Sequence, residues 1–277
     1  MLNMNARSGN NPVSRFGFYS TVIPTFSTAP MRTPGAADKE LMPVSAPAPS
    51  LSVEKGEYQI HHGDCVQMLK RMDSGSVDFV LTDPPYIVGY KDRSGRQVAN
   101  DDNDRWIEPA FKEIYRVLAD NSLCVSFYGW TQTDRFFAAW KAAGFRIVGH
   151  ITFPKRYTST TKLLRYQHES AYLLAKGSPA APENAIGDVI DWGAYTGNKL
   201  HPTQKPISIL LPIIQSFTKP GDLVLDPFVG SGSTLAAAMM CGRRSIGFEI
   251  DEQNARVAEQ RLSRMVRSGA RWAEVVD

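Results

Sequence analysis

Short apolar runs alternate along this chain with segments in which apolar residues recur every three or four positions, from Glu57 to Val266. A short run of apolar and β-branched residues closed by Gly, Pro or Asp reads as a strand. The three-to-four repeat instead lines apolar side chains along one helix face. On this basis strands are expected at Tyr58–His61, Val77–Leu81, Leu123–Tyr128, Arg146–Phe153, His168–Ala175, Leu223–Leu225 and Ser245–Phe248. Helices are expected at Cys65–Met72, Trp106–Leu118, Thr131–Ala143, Pro206–Phe217, Thr234–Cys241 and Glu252–Val266. Strands alternating with helices predict an α/β fold: a doubly wound, mostly parallel sheet with helices on both faces.

Residues 1–55 break the pattern, being rich in Pro, Ser, Thr and Ala. The stretch Pro43–Ser52 has too little apolar surface to offset the entropy of ordering it. The first 37 residues hold Arg7, Arg15 and Arg32 but no acid, a bias shared with transit peptides. A largely disordered extension is the plainer reading. The expected organisation is therefore an extension (1–55), a catalytic domain (56–271) and a short tail (272–277). At 277 residues with 43% hydrophobic and 21% charged positions, the chain can bury a sizeable core. A net charge of +3 demands no polyanionic partner, though clustered Lys and Arg would permit one. Three scattered cysteines argue for a reducing compartment, and no metal-ligand spacing or membrane span is read.

Thr82-Asp83-Pro84-Pro85-Tyr86 follows the run Val77–Leu81 directly. Proline lacks an N–H and cannot continue a central strand, so the strand must stop there and leave Asp83 and Tyr86 at its carboxyl edge. Ligands bind at that edge in open α/β sheets. A carboxylate and backbone carbonyls accept hydrogen bonds from an amino group, and an aromatic face holds a flat ring. Such a pocket suits a planar substrate with an exocyclic amine, such as adenine or cytosine. A second motif, Asp226-Pro-Phe-Val-Gly230-Ser231-Gly232-Ser233-Thr234, joins a strand to a helix, and Glu249 ends the next strand. Glycines allow close approach of a ligand, and a strand-end acid accepts ribose hydroxyls. No GK[ST] follows, and Leu235 stands where the third Gly of a dinucleotide fingerprint would be, so a nucleoside without pyrophosphate fits better.

Together these motifs resemble the amino-methyltransferases that modify DNA bases with S-adenosylmethionine. The order, DPPY before DPFVGSGST, is similar to that family's circularly permuted β-group. His201-Pro-Thr-Gln-Lys205-Pro206 resembles its HPTxKP element, and His62-Gly63-Asp64-Cys65 sits where the family contacts the cofactor's adenine. The resemblance covers Glu57 to Arg264 and implies a Rossmann-like methyltransferase fold. It implies that Phe228, Gly230, Gly232 and Thr234, with Asp226 and Ser231 in the same loop, line the methionine part of S-adenosylmethionine. Glu249 would take the ribose hydroxyls, and Asp64 with the backbone of Cys65 the adenine. Thr203 and Lys205 would hold the carboxylate, His201 shaping the turn. Asp83, Pro84, Pro85 and Tyr86 would receive a base flipped out of double-stranded DNA.

For DNA contact, the sequence offers Lys91, Arg93 and Arg96 in a loop, Val88–Arg105, that reads as mobile. It also offers Lys155, Arg156, Lys162 and Arg165 in a target-recognition insert of about 155–200. Trp192 and Tyr195 suit local packing better than groove insertion, and Trp130 reads as core. The resemblance favours adenine-N6 over cytosine-N4 as the target, because DPPY is the adenine form. RNA, a protein glutamine amide, or a non-catalytic binding module are the other readings. It places the protein in a bacterial cytoplasm, phage- or plasmid-encoded genes included, with a homodimer and a companion restriction endonuclease as possible partners.

Overall fold

The computed structural model describes residues 50–53, 58–91, 95, 97–160, 163–192 and 204–268. Most of the extension, the first half of the HPTQKP element (His201–Thr203) and the C-terminal tail lie outside the described residues. The strands are β1 (Tyr58–His62), β2 (Val77–Thr82), β3 (Leu118–Phe127), β4 (Arg146–Thr160), β5 (Arg165–Ala175), β6 (Leu223–Asp226) and β7 (Arg244–Glu249). The helices are α1 (Cys65–Leu69), α2 (Ile107–Val117), α3 (Thr133–Ala143), α4 (Ile207–Phe217), α5 (Ser233–Met240) and α6 (Glu252–Ser268). The strands form one seven-stranded sheet in the order β1-β7-β6-β2-β3-β5-β4. β1, β7, β6, β2 and β3 run parallel, and β5 is antiparallel to both β3 and β4.

The central strands read as continuous apolar runs because both of their faces are covered. In β2, Val77 and Val80 join the core beneath α2 and α3, whereas Phe79 and Leu81 join the core beneath α4 and α5. In β6, Leu225 belongs to the first core and Val224 to the second. The chain leaves β6 towards β7 and leaves β2 towards β3, so the connections part at the β6–β2 pair. A crevice opens above the carboxyl ends of two strands at such a switch point. Asp83 and Asp226 stand on its two sides.

The largest departure from the expected elements is the β4–β5 hairpin. β3 pairs with β5 only as far as Phe127↔Ala171, but β5 begins at Arg165 and β4 continues to Thr160. The paired strands therefore overhang the carboxyl edge and carry polar side chains above the switch point. Apolar periodicity cannot foretell such an extension, since hydrogen bonding across the hairpin and not burial on both faces holds it.

β7 presses closely on the Gly-rich turn. A Cβ on Gly247 would overlap Val229 Cγ2 and lie 2.7 Å from the Asp226 carbonyl oxygen. Gly247→Ala is expected to cost about 1–3 kcal/mol through overpacking. Urea unfolding of the variant checks this, and an unchanged midpoint would refute the contact.

Candidate active site

The two prolines end β2 and turn the chain across the sheet edge, and Asp101 then fixes the turn. Its carboxylate is buried and accepts hydrogen bonds from the N–H of Ile87 (2.8 Å) and of Tyr90 (2.6 Å). Ile87 has a φ of 60°, a costly conformation for a β-branched residue that persists only where its surroundings impose it. Gly89 donates to the Asp101 carbonyl, and the Trp106 indole donates to the carbonyls of Asn100 and Asn103. The described part of Val88–Arg105, expected to be mobile, is thus tied down by Asp101 and by the Trp106 indole. From the other side, Gly129 backs Tyr86: a Cβ there would lie 2.5 Å from the Tyr86 carbonyl oxygen.

A charged cluster meets Asp83 and Tyr86 of the DPPY motif. Asp83 Oδ2 accepts from Lys205 Nζ at 2.6 Å, and Asp83 Oδ1 accepts from the Tyr86 hydroxyl at 2.9 Å. The same hydroxyl lies 3.2 Å from Glu169 Oε2, and Lys205 Nζ lies 3.5 Å from that oxygen. Lys155 Nζ closes the set at 2.6 Å from Glu169 Oε1. Two ammonium groups and two carboxylates balance in a place where water is scarce; the Lys205 side chain is 5% exposed. Its ammonium also lies 5.3 Å from the Tyr86 ring centre and 4.9 Å from that of Phe127.

Burial alone would drive Lys205 towards its neutral form, but Asp83 and Glu169 outweigh it and hold the ammonium above its ordinary pKa. Burial would likewise raise Glu169, yet Lys205 and Lys155 bring it below the usual carboxylate range. Burial, then the charges of Asp83 and Glu169, push Tyr86 well up, so it stays a phenol with a proton to donate.

The Gly-rich turn forms the other half of the same cleft. Gly230 (φ 53°) and Gly232 (φ 84°) take the left-handed conformation that makes the turn tight, and Ala258 packs against Gly232. Glu249 ends β7 with its carboxylate accepting from the N–H of Gly230 (2.8 Å) and of Asp251 (2.9 Å); burial raises its pKa. β1 pairs with β7 in the register His62↔Glu249, which brings Gly63, Asp64 and Cys65 beside it. Asp64 caps α1 by accepting from the Gln67 N–H at 3.1 Å. Burial pushes the Cys65 thiol up to about 12, so it is no thiolate nucleophile. Phe228 meets Trp106 edge-on at 5.1 Å. One continuous cleft runs from Asp64, Phe228 and Glu249 to Asp83, Tyr86 and Lys205.

Not every expected site residue joins this cleft. Lys155 turns inward to Glu169 and lies over the rings of Tyr157 and Trp192, whereas Arg156 pairs with Asp191 at the surface. Lys91 and Arg165 are exposed; Arg93, Arg96, Lys162, Tyr195, His201 and Thr203 lie outside the described residues. Trp192 is buried against Phe153. Trp130, expected in the core, is 63% exposed and leans on Tyr166, because Gly129 ends the strand path and a 3₁₀ turn lifts the indole off the sheet edge. Glu169 was missed. Its signal was an acid in strand phase with the apolar Ala171 and Leu173.

The switch-point cleft sets the Asp83 cluster opposite the Gly-rich turn and Glu249. Residues 77–260 match the N6/N4 DNA methylase family, and the chain belongs to that family. It is 53% identical over 206 residues to the candidate methylase YubD of Escherichia coli (strain K12), covering 74% of this chain and 90% of YubD. Among solved structures, the complex of M1.HpyAVI with S-adenosylmethionine superposes with a TM-score of 0.60 at 24% identity, covering 74% of this chain and 98% of that one. The cytosine-N4-specific PvuII DNA methyltransferase superposes with a TM-score of 0.62 at 17% identity, over 75% of this chain and 90% of its own. These likenesses bear out the α/β fold and the amino-methyltransferase resemblance. Among the described residues, no helix is long and apolar enough to cross a membrane.

Asp226 supplies a test of the cleft's electrostatics. Burial pushes its carboxyl up to about 7, and its Oδ1 accepts from the Phe228 N–H. A pKa raised on folding gives stability that is full below the unfolded value of about 3.9 and is lost as pH rises towards 7. Asp226→Asn, which cannot ionise, is expected to gain thermal stability relative to the natural protein as pH rises from 5 to about 7.5. Melting curves that stay parallel over this window would contradict the burial of an ionisable Asp226.

Proposed function

We propose that this DNA methyltransferase moves a methyl group from S-adenosylmethionine to the N6 amine of adenine, on a nucleotide flipped out of the duplex. The observation that carries the reading is the placement of Asp83 and Tyr86 in one cleft with the Gly-rich turn and Glu249. The residues present fit the donor. Glu249 offers acceptor positions to a ribose diol, the positive-φ glycines leave the turn low, and Gln204 lines the cleft with a buried Oε1 that has no hydrogen-bond partner among the described residues. When bound, S-adenosylmethionine supplies an already activated methyl group.

What the chain adds is alignment and control of charge. The amine of a base shares its lone pair with the ring. Hydrogen bonds from its N–H groups to Asp83 and to the Pro84 carbonyl favour a pyramidal, more nucleophilic nitrogen. Tyr86 stacks on the base and sets its plane, and the cleft walls exclude water. No nucleophile of the protein is called for, in keeping with the protonated Cys65 thiol. An Asp at the head of DPPY favours adenine, since the cytosine-N4 members of this group more often carry Ser there. The structural likeness to a cytosine-N4-specific enzyme makes N4-methylcytosine the alternative product. A homodimer and a companion endonuclease are further proposals that a gel-filtration mass and the neighbouring genes address.

Incubation with methyl-labelled cofactor and unmethylated DNA, followed by digestion to nucleosides, is expected to yield labelled N6-methyladenosine in its deoxy form. Label in N4-methyldeoxycytidine instead would overturn the adenine assignment. Asp83→Ala is expected to retain cofactor binding and to lose at least about 10²-fold in transfer, the scale of one lost transition-state contact. Undiminished transfer by that variant would remove Asp83 from the mechanism.

A further inference from the structure

Asp83 is fully engaged before any substrate arrives. Tyr86 donates to Oδ1 at 2.9 Å and Lys205 to Oδ2 at 2.6 Å. A carboxylate oxygen has a second lone pair, but one already shared with a hydroxyl or an ammonium is a weaker acceptor for a neutral amine. The amine gains most if one of those donors lets go, and a donor released in this partly buried cluster is best served by another acceptor already within reach. Glu169 provides that place. Its Oε2 lies 3.2 Å from the Tyr86 hydroxyl and 3.5 Å from Lys205 Nζ, while its Oε1 is anchored by Lys155 at 2.6 Å. The Tyr86 hydroxyl has a single proton and can serve only one of the two carboxylates at a time. The overhang of β5 beyond Ala171 is what brings Glu169 to this point.

We propose that Glu169 is a positioning residue that takes over the Tyr86 hydroxyl and the Lys205 ammonium as Asp83 turns to the target amine. The handover moves hydrogen bonds and no charge. Two ammonium groups and two carboxylates remain in the cluster throughout, so the base enters without importing or expelling an ion. The Tyr86 ring can keep its stacking plane while only its hydroxyl changes partner. The chemistry demands a carboxylate at position 169. A neutral amide there would accept from the Tyr86 hydroxyl and the Lys205 ammonium more weakly than a carboxylate, and would leave both biased towards Asp83, in the geometry that competes with the amine. The inference rests on the reading that Asp83 receives that amine, and it applies equally to adenine and cytosine.

The test compares the natural protein with Glu169→Gln, Tyr86→Phe and the double variant. It uses single-turnover transfer from labelled S-adenosylmethionine to unmethylated DNA and calorimetric cofactor affinity. Glu169→Gln is expected to slow transfer by about 10²-fold, the scale of a misplaced reacting group, with cofactor affinity within about twofold. Because Glu169 acts through the Tyr86 hydroxyl, the two losses should not multiply: adding Glu169→Gln to Tyr86→Phe should cost less than about tenfold. Losses that multiply, an unchanged rate in Glu169→Gln, or cofactor affinity falling in step with the rate would each overturn the handover. Should Glu169→Gln fail to fold, Lys155→Met removes the anchor of Glu169 instead; slower transfer supports the handover and an unchanged rate overturns it. Full transfer by Asp83→Ala would sink the base-pocket reading itself. An inactive Asp83→Ala beside a full-rate Glu169→Gln would sink only the handover.

Discussion

The ammonium of Lys205, between the carboxylates of Asp83 and Glu169, holds together three parts of the chain that are far apart in sequence. Asp83 leaves β2, Glu169 stands on the overhanging hairpin, and Lys205 precedes α4. Removing one member of such a buried set leaves an uncompensated charge, at a cost of about 3–5 kcal/mol. The strand end, the hairpin and the helix entrance are therefore locked to one another by electrostatics as well as by packing. The hairpin can overhang the sheet edge because its inward acid finds two cations there. The base motif keeps its shape because its Asp and Tyr bond to the same cluster.

The sheet makes this meeting possible. The β6–β2 switch point opens a crevice at the middle of the carboxyl edge, with the Gly-rich turn on one side and the proline-terminated strand on the other. Glu249 pins the turn to the end of β7 through Gly230, and Asp101 pins the chain after Tyr86 through Ile87 and Tyr90. Both walls of the cleft are thus fixed by carboxylates that accept backbone N–H groups. A methyl donor and an amine can be brought into line there with little reorganisation of the protein.

Much of this was legible in the sequence. Strands buried on both faces, such as Val77–Thr82 and Leu223–Asp226, announce themselves as apolar runs, and Pro84 with Pro85 dictates where the first must stop. The Gly-rich turn and Glu249 were legible as one unit because the strand, the turn, the helix and the next strand follow one another directly in the sequence. The partners of Lys205 were not, since its pairing with Asp83 spans 122 residues and leaves no local trace. The resemblance assigned Lys205 to a cofactor carboxylate, whereas its ammonium points at the base motif. Lys155 was legible as a basic residue but not as one turned inward, because its partner Glu169 lies across a hairpin longer than its apolar pattern. Trp130 reads as core from its type alone; only the chain's exit from the sheet beyond Gly129 exposes it.

If Lys205 serves the pocket around Asp83 and Tyr86, its loss should spare cofactor binding and impair transfer. Titration of S-adenosylmethionine into Lys205→Met, alongside its rate of methyl transfer, tests this most directly. Cofactor affinity is expected within about threefold of the natural protein, a change of less than about 1 kcal/mol, with transfer reduced by about 10²-fold. Affinity lost by about 10²-fold, with the surviving rate restored at saturating cofactor, would show that Lys205 holds the cofactor's carboxylate and would contradict the account.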